Sequence, residues 1–348
     1  MGYQDVVSKT WRHYDLKDVA YDYTNLIRYA ILAASSHNTQ PWKFKIEPGL
    51  IWIFPDLTRR CPAVDPDDHH LYVSLGCAAT NLTEAAAAAG LQSRVSFDEA
   101  TSAGKVKFEE GPIVRSQLFD AIPNRQCSRM LYDGSRITTQ ELQQLKRVAT
   151  GNGVSVLLFT KQDQKETIAN FVAKGNIGQM SDAGWIKELK SWIRFSESHA
   201  MATGDGLYGR SMGSPDVPKI IGDLILHFVL TPQSQNKKDK RHILSSSRIA
   251  VIFSDVSNKA QWVEVGQCYE RFALQATALG FQTAFCNPPV EVSDLRAQFA
   301  NWLRIGECRP DLVVRFGRGP EMPHSLRRPL KEVVLDETSP HRFLKLLA

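Results

Sequence analysis

The 348-residue sequence lacks the features that mark secreted proteins, membrane proteins and zinc-binding domains. Its six cysteines include no CxxC pair and no zinc-like spacing, which indicates reduced thiols in a cytoplasmic protein. The opening "MGYQDVVSKTW" has no apolar core and is not typical of a secretory signal. The best apolar stretch, "IIGDLILHFVL", is short and interrupted by Asp223 and His227, so we expect no membrane partner.

The sequence also lacks a large excess of charge of either sign. Its 42 basic and 37 acidic residues give a formal charge of +5, which is too diffuse to indicate a nucleic-acid partner. The one dense basic run, "KKDKR" at 237–241, is more typical of a solvated loop than of a phosphate tract. A hydrophobic content of 43% is that of a soluble globular protein, and the mild positive charge would suit anionic small molecules.

Three apparent motifs lack the context that their chemistry requires. "GDGLYG" (204–209) matches a dinucleotide fingerprint, but no apolar strand precedes it and no clean helix follows. "GRSMG" (209–213) would make Ser211 a hydrolase nucleophile only after a buried strand, and "MATGDGLY" is not one. Adjacent histidines such as His69 and His70 rarely bind the same ion, so we predict a polar helix start there and no metal.

The periodicity of the chain predicts an α+β protein. Hydrophobic alternation and turn residues predict strands, beginning with a hairpin in which Pro48-Gly49 supplies the turn. Thr138 and Glu141 form a capping box at the start of a helix. The predicted helices are 18–33, 71–90, 138–149, 262–279 and one from about Ser293, and the predicted strands are "WKFKI", "LIWIF", "SRVSF", "KVKFE", "VSVLLF", "RIAVIF" and "LVVRF".

Two helical segments match each other without gaps at an offset of 190 residues. They are "GCAATNLTEAAAAAGLQ" (76–92) and "GQCYERFALQATALGFQ" (266–282). In each case the helix follows strand-like segments and precedes another strand. We interpret this as two copies of one α+β unit, packed as a dimer would be but within a single chain.

A polar segment joins the first predicted helix to the first strand. Taken alone, "SSHN" (35–38) is more typical of a helix end and turn than of a binding site. The whole segment "ASSHNTQPWKF", however, closely resembles the "PSSxNxQPW" element of the FMN-dependent nitroreductase family. "NRQCSRMLYDG" (124–134) and the tail "RFGRGPEMPHSLRRPLKEVVL" (315–335) are similar to the arginine-containing segments of that family.

The closest resemblance is to the Acg-like branch, whose members fuse two nitroreductase-like halves. It implies a nitroreductase-like pseudo-dimer with an N-terminal half at 1–120 and a C-terminal half at 121–348. A lid insertion would lie around 165–245. Because the first half carries the polar segment and the second half carries the arginines, we expect one FMN site per chain.

The resemblance also assigns roles to individual residues. Arg125, with Arg327 or Arg328, would bind the FMN phosphate, because guanidinium groups bind phosphate through paired charge-assisted hydrogen bonds. Arg129 would lie near the N1–C2 region of the flavin, and 286–288 would pass near N5. Whether Ser128 or Cys127 is the phosphate ligand stays open. The expected cofactor-binding residues are Ser35, Ser36, Asn38, Gln40, Arg125, Ser128, Arg129, Cys286, Asn287, Pro288, Arg327 and Arg328.

Two functions follow from the resemblance. The first is an oxidoreductase in which NADH or NADPH reduces FMN and a quinone or nitroaromatic acceptor is then reduced, with no dedicated side-chain acid or base. The alternative is an Acg-like protein that sequesters FMN beneath the insertion and has little reductase activity. In either case the partner is a small molecule, and a monomer is possible because the halves form an internal dimer-like interface.

Overall fold

The computed structural model describes residues 2–17 and 22–335. Within these ranges the chain forms ten strands and fourteen α-helices. The strands are β1 (Trp42–Glu47), β2 (Leu50–Pro55), β3 (Leu91–Asp98), β4 (Ala103–Glu110), β5 (Val154–Phe159), β6 (Ile193–Arg194), β7 (Leu207–Tyr208), β8 (Arg248–Ser254), β9 (Gln282–Phe285) and β10 (Arg309–Gly317). The helices are α1 (Tyr3–Thr10), α2 (Thr24–Ala30), α3 (His69–Ala88), α4 (Gln117–Ala121), α5 (Thr139–Val148), α6 (Gln162–Met180), α7 (Ala183–Trp192), α8 (Glu197–Thr203), α9 (Lys219–Val229), α10 (Pro232–Ser245), α11 (Lys259–Ala278), α12 (Pro288–Glu291), α13 (Ser293–Leu303) and α14 (Leu330–Val333).

The strands build two four-stranded antiparallel sheets and one short parallel pair. The first sheet has the order β1-β2-β4-β3 and the second β5-β8-β10-β9, while β6 pairs with β7. The predicted hairpin is confirmed, because Glu47 pairs with Leu50 and Gly49 takes the positive φ of 69° that the turn requires. The expected α+β class is therefore confirmed.

Most predicted helices are found close to their expected bounds. The capping box of α5 is confirmed, with the Glu141 amide donating to the Thr138 hydroxyl at 3.2 Å. The first predicted helix, 18–33, was too long: α2 covers Thr24–Ala30, and 18–21 lie outside the described residues. After α2 the backbone tightens, because the amides of Leu32 and Ala33 donate to carbonyls three residues back.

The two helices that carry the sequence repeat cross at a pair of glycines. A Cβ added to Gly76 of α3 would lie 1.9 Å from the carbonyl oxygen of Val263, and one added to Gly266 would lie 1.9 Å from that of Val73. Val73 and Val263 are themselves separated by the repeat offset of 190. The contact is therefore reciprocal, as at a two-fold axis. Only glycine permits backbones to approach this closely.

The hydrophobic core lies between the two sheets and around these helices. Its buried side chains come from the first sheet, from the second sheet and from both α3 and α11. Successive residues of β8 point to opposite faces of the second sheet. Ile249 and Val251 therefore point away from the main core and pack with α6 and α13 in a second, smaller cluster. The second sheet is thus covered on both faces, and α6 belongs to that outer covering layer. None of the helices within the described ranges is both long enough and apolar enough to cross a membrane.

Candidate functional site

The polar segment after α2 is a compact turn with an unusual backbone. Three of its non-glycine residues, His37, Asn38 and Gln40, have φ values of 49°, 53° and 53°. Left-handed conformations cost free energy for such residues and persist only where other contacts hold them. Here the Ser35 hydroxyl accepts a hydrogen bond from the Gln40 amide at 3.1 Å, and the Ser36 amide donates to the Ser74 hydroxyl at 3.4 Å.

The amide side chains of this turn bind the C-terminal segment and the loop before β7. Asn38 Nδ2 donates to the carbonyls of Gly206 and Leu326, and Gln40 Nε2 donates to that of Gly204 at 2.9 Å. Gln40 Oε1 accepts the backbone amide of Arg328 at 2.8 Å. Both amide side chains are therefore engaged with protein groups, and they fix the C-terminal segment beside the turn.

Two guanidinium groups from distant parts of the chain meet at the end of α2. Arg125 Nη2 and Arg327 Nη2 donate to the same carbonyl, that of Leu32, at 2.9 and 3.0 Å. Arg327 also donates from Nη1 to Asn38 Oδ1 at 2.9 Å. The polar turn and these two arginines, which are far apart in the sequence, therefore converge on one place.

A buried carboxylate accompanies this arginine pair. Glu270 of α11 lies 3.1 Å from Arg125 Nε, and its other oxygen accepts the Ala34 amide at 3.4 Å. Burial raises the pKa of Glu270, an effect that Arg125 opposes. Burial and the neighbouring Arg125 lower the pKa of Arg327 to about 9. Two cations thus face one carboxylate, which leaves an excess of positive charge enclosed within the protein.

Arg328 points elsewhere. Its Nη1 lies 3.3 Å from Asp56 and 3.2 Å from the carbonyl of Gln40, and its side chain is buried in these contacts. The sequence left Arg327 and Arg328 as alternatives beside Arg125. The geometry brings Arg327 to Arg125 and uses Arg328 to anchor the C-terminal segment on β2.

The segment between Arg125 and Arg129 runs alongside β9. Cys127 pairs with Thr283, and the Ser128 amide donates to the Thr283 carbonyl at 3.0 Å. Ser128 is fully buried and its hydroxyl donates to the Pro320 carbonyl at 3.0 Å. Cys127 keeps part of its surface accessible. Of the two residues considered as phosphate ligands, Ser128 thus has its hydroxyl bonded to a protein carbonyl, whereas Cys127 has accessible surface that a ligand could contact.

Arg129 lies beside His37 and has no hydrogen bond or ion pair with any residue in the described ranges. Burial, the charge of Arg129 and the neighbouring His70 together lower the pKa of His37 to about 4. His37 and Arg129 nevertheless keep partly accessible side chains. A neutral imidazole therefore adjoins a guanidinium that has no partner among the described residues.

The segment Cys286–Pro288 lies on the same side of the molecule. Asn287 Oδ1 accepts the Val313 amide at 2.9 Å, and Asn287 Nδ2 is 3.4 Å from His70 Nε2, so this side chain links β10 to α3. Cys286 is buried, and its amide donates to the Val313 carbonyl at 2.7 Å. Two of the three residues expected near the flavin N5 thus make contacts that hold the segment in place.

Pro288 is covered by α6. A Cβ added to Gly175 would lie 2.6 Å from Pro288 Cβ and 2.8 Å from its carbonyl oxygen, so this helix approaches as closely as a glycine allows. Helix α10 packs on α6, where Asp239 accepts from Asn176 Nδ2 at 2.8 Å. Within the 165–245 region, α6 therefore lies directly over Pro288, and α10 packs on α6.

Asp65, His69 and His70 form a buried cluster that the sequence did not indicate as a unit. Their potential ligand atoms lie within 4.8 Å of one another, wider than the roughly 3.4 Å expected around a zinc ion with bonds of about 2.1 Å. Asp65 accepts the amides of His70 and Leu71 at 3.1 and 3.0 Å, while His69 Nε2 lies 2.8 Å from Asp311 Oδ1. We interpret the cluster as a polar network that caps α3.

The two glycine-rich motifs also have structural roles. The "GRSMG" segment forms a 3₁₀ turn, Gly209–Met212, after the two-residue strand β7. Ser211 is buried and its hydroxyl donates to the Tyr208 carbonyl at 2.8 Å. Gly204 and Gly206 accept the hydrogen bonds from Gln40 and Asn38 described above. These glycines thus belong to the loop that closes over the polar turn.

Some residues of the site were missed by sequence reasoning. Glu270 lies within the repeated segment, but it faces Thr80 in the alignment, so the repeat gives no reason to select it. His37 lies within the polar turn and was passed over in favour of its serine and amide neighbours. Tyr269, whose buried hydroxyl has no hydrogen-bond partner among the described residues, carries no recognisable signal in the sequence.

The chain is similar over most of its length to curated proteins of Mycobacterium tuberculosis, although no family model matches it. It is 24% identical over 321 residues to one named "Putative NAD(P)H nitroreductase", and the match spans 89% of this chain and 90% of that protein. It is 23% identical over 334 residues to "Putative NAD(P)H nitroreductase acg", covering 91% and 96%. The resemblance indicated by the motifs is therefore confirmed, including the likeness to Acg.

Solved structures give weaker likenesses. The FMN-dependent nitroreductase NfnB of Mycobacterium smegmatis in complex with NADPH matches with a TM-score of 0.43 and 11% identity, over 64% of this chain and 98% of that one. A nitroreductase with bound FMN from Desulfitobacterium hafniense matches with a TM-score of 0.39 and 14% identity, over 64% and 99%. Scores of this size carry no argument about the site.

Proposed function

We propose that this chain is an FMN-dependent NAD(P)H oxidoreductase with one flavin site between its two halves. The observation that carries the proposal is the convergence of Arg125 and Arg327 on the Leu32 carbonyl, directly beside the polar turn. The names of the curated relatives support the same kind of activity. Reduced cysteines, all six of which are free, are consistent with a cytoplasmic protein.

The residues around the arginine pair fit an FMN phosphate. A phosphate dianion needs positive charge and several donors, and the site offers two guanidinium groups against one carboxylate. Both groups now donate to the Leu32 carbonyl, and a bound phosphate would replace such protein acceptors. Two buried polar atoms near the pair, Tyr269 OH and His324 Nδ1, have no hydrogen-bond partner in the described structure. Such atoms are costly to bury, and a ligand with phosphate and ribityl oxygens would satisfy them.

FMN supplies the hydride acceptor and donor chemistry, and the protein supplies its grip and environment. Arg125 and Arg327 would bind the phosphate, with Cys127 or Ser128 beside them. Ser35 and Ser36 would contact the ribityl chain or ring, as would Asn38 and Gln40 after a change of their present partners. Arg129 would place positive charge near the N1–C2 edge, where it stabilises negative charge on the ring. His37 stays neutral at physiological pH and so would not compete for that role.

The interpretation of the chain as two halves explains why we expect one flavin site and not two. We propose halves at 1–120 and 121–348, each with one antiparallel sheet and one long helix, related by the reciprocal contact of Gly76 and Gly266. The polar turn belongs to the first half and the arginine pair to the second. A second site would need a polar turn in the second half, facing arginines from the first half. The sequence contains no second polar turn. The internal interface removes the need for a second chain, so we propose a monomer.

A second function is favoured by one specific contact. Because α6 reaches Pro288 at glycine-limited distance, the face of the flavin near N5 would be covered. Nicotinamide must stack on that face to transfer hydride, so a closed covering layer would prevent turnover. The chain would then hold FMN without reducing a quinone or nitroaromatic acceptor.

Binding and turnover can be tested separately. We expect the purified protein to bind FMN, and Arg327→Ala to weaken FMN binding about 30- to 100-fold because a charged hydrogen-bonding group is lost. Riboflavin, which lacks the phosphate, should bind both proteins equally. Arg147→Ala, which removes an exposed arginine of α5, is the matched control. Equal loss of FMN and riboflavin affinity would instead indicate that Arg327 only supports α2.

Anaerobic addition of NADH or NADPH then separates the two functions. Rapid bleaching of the bound flavin, followed by reoxidation with a quinone or nitroaromatic, is expected of the oxidoreductase. A flavin that stays oxidised indicates sequestration beneath α6. A protein that binds neither FMN nor riboflavin would contradict both functions.

A further inference from the structure

Helix α9 presents aliphatic side chains to solvent along one face. Ile220, Ile221, Leu224 and Ile225 are 84, 48, 59 and 44% exposed. Ile220 with Leu224, and Ile221 with Ile225, have the i, i+4 spacing of neighbours on a helix surface. The two pairs lie side by side, so the four form a continuous apolar strip. A strip of this kind marks a binding surface, since isolated exposed aliphatic residues are ordinary but contiguous ones are not.

The orientation of α9 is fixed by its other side. A Cβ added to Gly222 would lie 2.2 Å from Cδ1 of Phe195, so the helix is seated closely against that ring. Lys219 and Asp223 form an ion pair 3.0 Å apart on the polar side. The apolar strip is therefore directed away from the contact that holds the helix.

Helix α10 begins three residues after α9 ends and carries a basic strip. Lys237, Lys240 and Arg241 have the i, i+3, i+4 spacing of one helical face, and all three are exposed. They make no ion pair or hydrogen bond with the part of the chain that the structure describes. The opposite face of α10 holds Asp239, which is bonded to Asn176 of α6.

The size and charge of this surface select its partner. Four partly exposed aliphatic side chains offer much less area than the roughly 800 Å² that each subunit buries in a standard interface. A symmetric dimer would also bring the basic strips of two copies together. An anionic bilayer meets both conditions, because an apolar helix face and a polybasic segment are two signals that together give stable attachment.

We propose that α9 and α10 dock this protein on an anionic lipid surface, with the aliphatic strip at the acyl boundary and the basic strip against the headgroups. Docking on a membrane surface needs no membrane-spanning segment. The proposal therefore replaces the expectation of no membrane partner and agrees with the lack of a membrane-spanning helix in the described ranges. The proposal does not depend on the flavin.

The test is sedimentation of the full-length protein with phosphatidylcholine vesicles, with and without phosphatidylglycerol. We expect binding to the anionic vesicles that weakens as salt is raised. Ile220→Ser combined with Leu224→Ser should abolish it, and replacement of Lys237, Lys240 and Arg241 by Gln should weaken it about 100-fold. The matched control is Ile113→Ser with Val114→Ser, which are 77 and 52% exposed outside α9 and should bind as the wild type does.

Two results would overturn the proposal. One is the absence of binding to anionic vesicles at low salt, or equal binding by the α9 variant when both proteins melt at the same temperature. The other is concentration-dependent dimerisation, measured by light scattering, that the α9 variant abolishes while vesicle binding is absent. The strip would then be an interface between two copies of this chain.

Discussion

The glycine crossing of α3 and α11 gives a prediction about the symmetry of the fold. In Gly76→Ala the new methyl group would lie 1.9 Å from the Val263 carbonyl oxygen, and in Gly266→Ala it would lie 1.9 Å from that of Val73. A backbone oxygen within a packed helix cannot move aside as a flexible side chain can. Each substitution must therefore force the two helices apart, and the core around them must follow.

The expected cost can be worked from two opposing effects. Overpacking a well-packed core typically costs about 1–3 kcal/mol, and the upper end applies because the opposing atoms are backbone. Replacing glycine by alanine in a helix returns up to about 1 kcal/mol. We expect each variant to lose about 2 kcal/mol of unfolding free energy, measured by urea denaturation, with the two losses nearly equal.

The double variant and a control sharpen the test. Because one separation of the helices relieves both clashes, Gly76→Ala with Gly266→Ala should cost clearly less than the sum of the two. Gly178→Ala is the control, since its methyl group would meet only Val292 methyl groups at 3.8–3.9 Å and should be neutral or stabilising. If either crossing variant behaves like Gly178→Ala, the reciprocal contact is refuted.

Two further predictions concern the covering layer and the network beneath α3. Gly175→Ala should push α6 away from Pro288 and so speed the reduction of bound FMN by NADPH, measured by stopped-flow. Gly178→Ala, on the same helix but without a clash, should leave that rate unchanged. Equal rates for the two variants would contradict the covering role of α6. Burial raises the pKa of Asp311 to about 7, so its contribution to stability is full below about pH 4 and is lost as the pH rises through 7. Asp311→Asn, which can still accept from His69, should therefore become progressively more stable relative to the wild type between about pH 4 and 7, by at most about 4 kcal/mol in urea denaturation. A constant difference would show that the carboxyl does not titrate in this range.

Local features of the fold could be predicted because their causes lie within a few residues. Pro48-Gly49 closes the first hairpin and the Thr138–Glu141 box starts α5, as the sequence indicated. The end of α2 was misplaced, because the polar turn after it is held by distant groups. Arg327 bonds the Ile31 carbonyl at 2.6 Å from almost 300 residues away.

By itself, the sequence determined the α+β class, the likeness of two segments 190 residues apart and the residue types that gather at the site. Only the tertiary structure decided which of two neighbours points inward. Arg327 meets Arg125 while Arg328 meets Asp56, and Ser128 is turned to Pro320 while Cys127 keeps accessible surface. Adjacent residues of an extended segment point in opposite directions, and its register is set by pairing with a remote partner such as Thr283, which no local pattern contains.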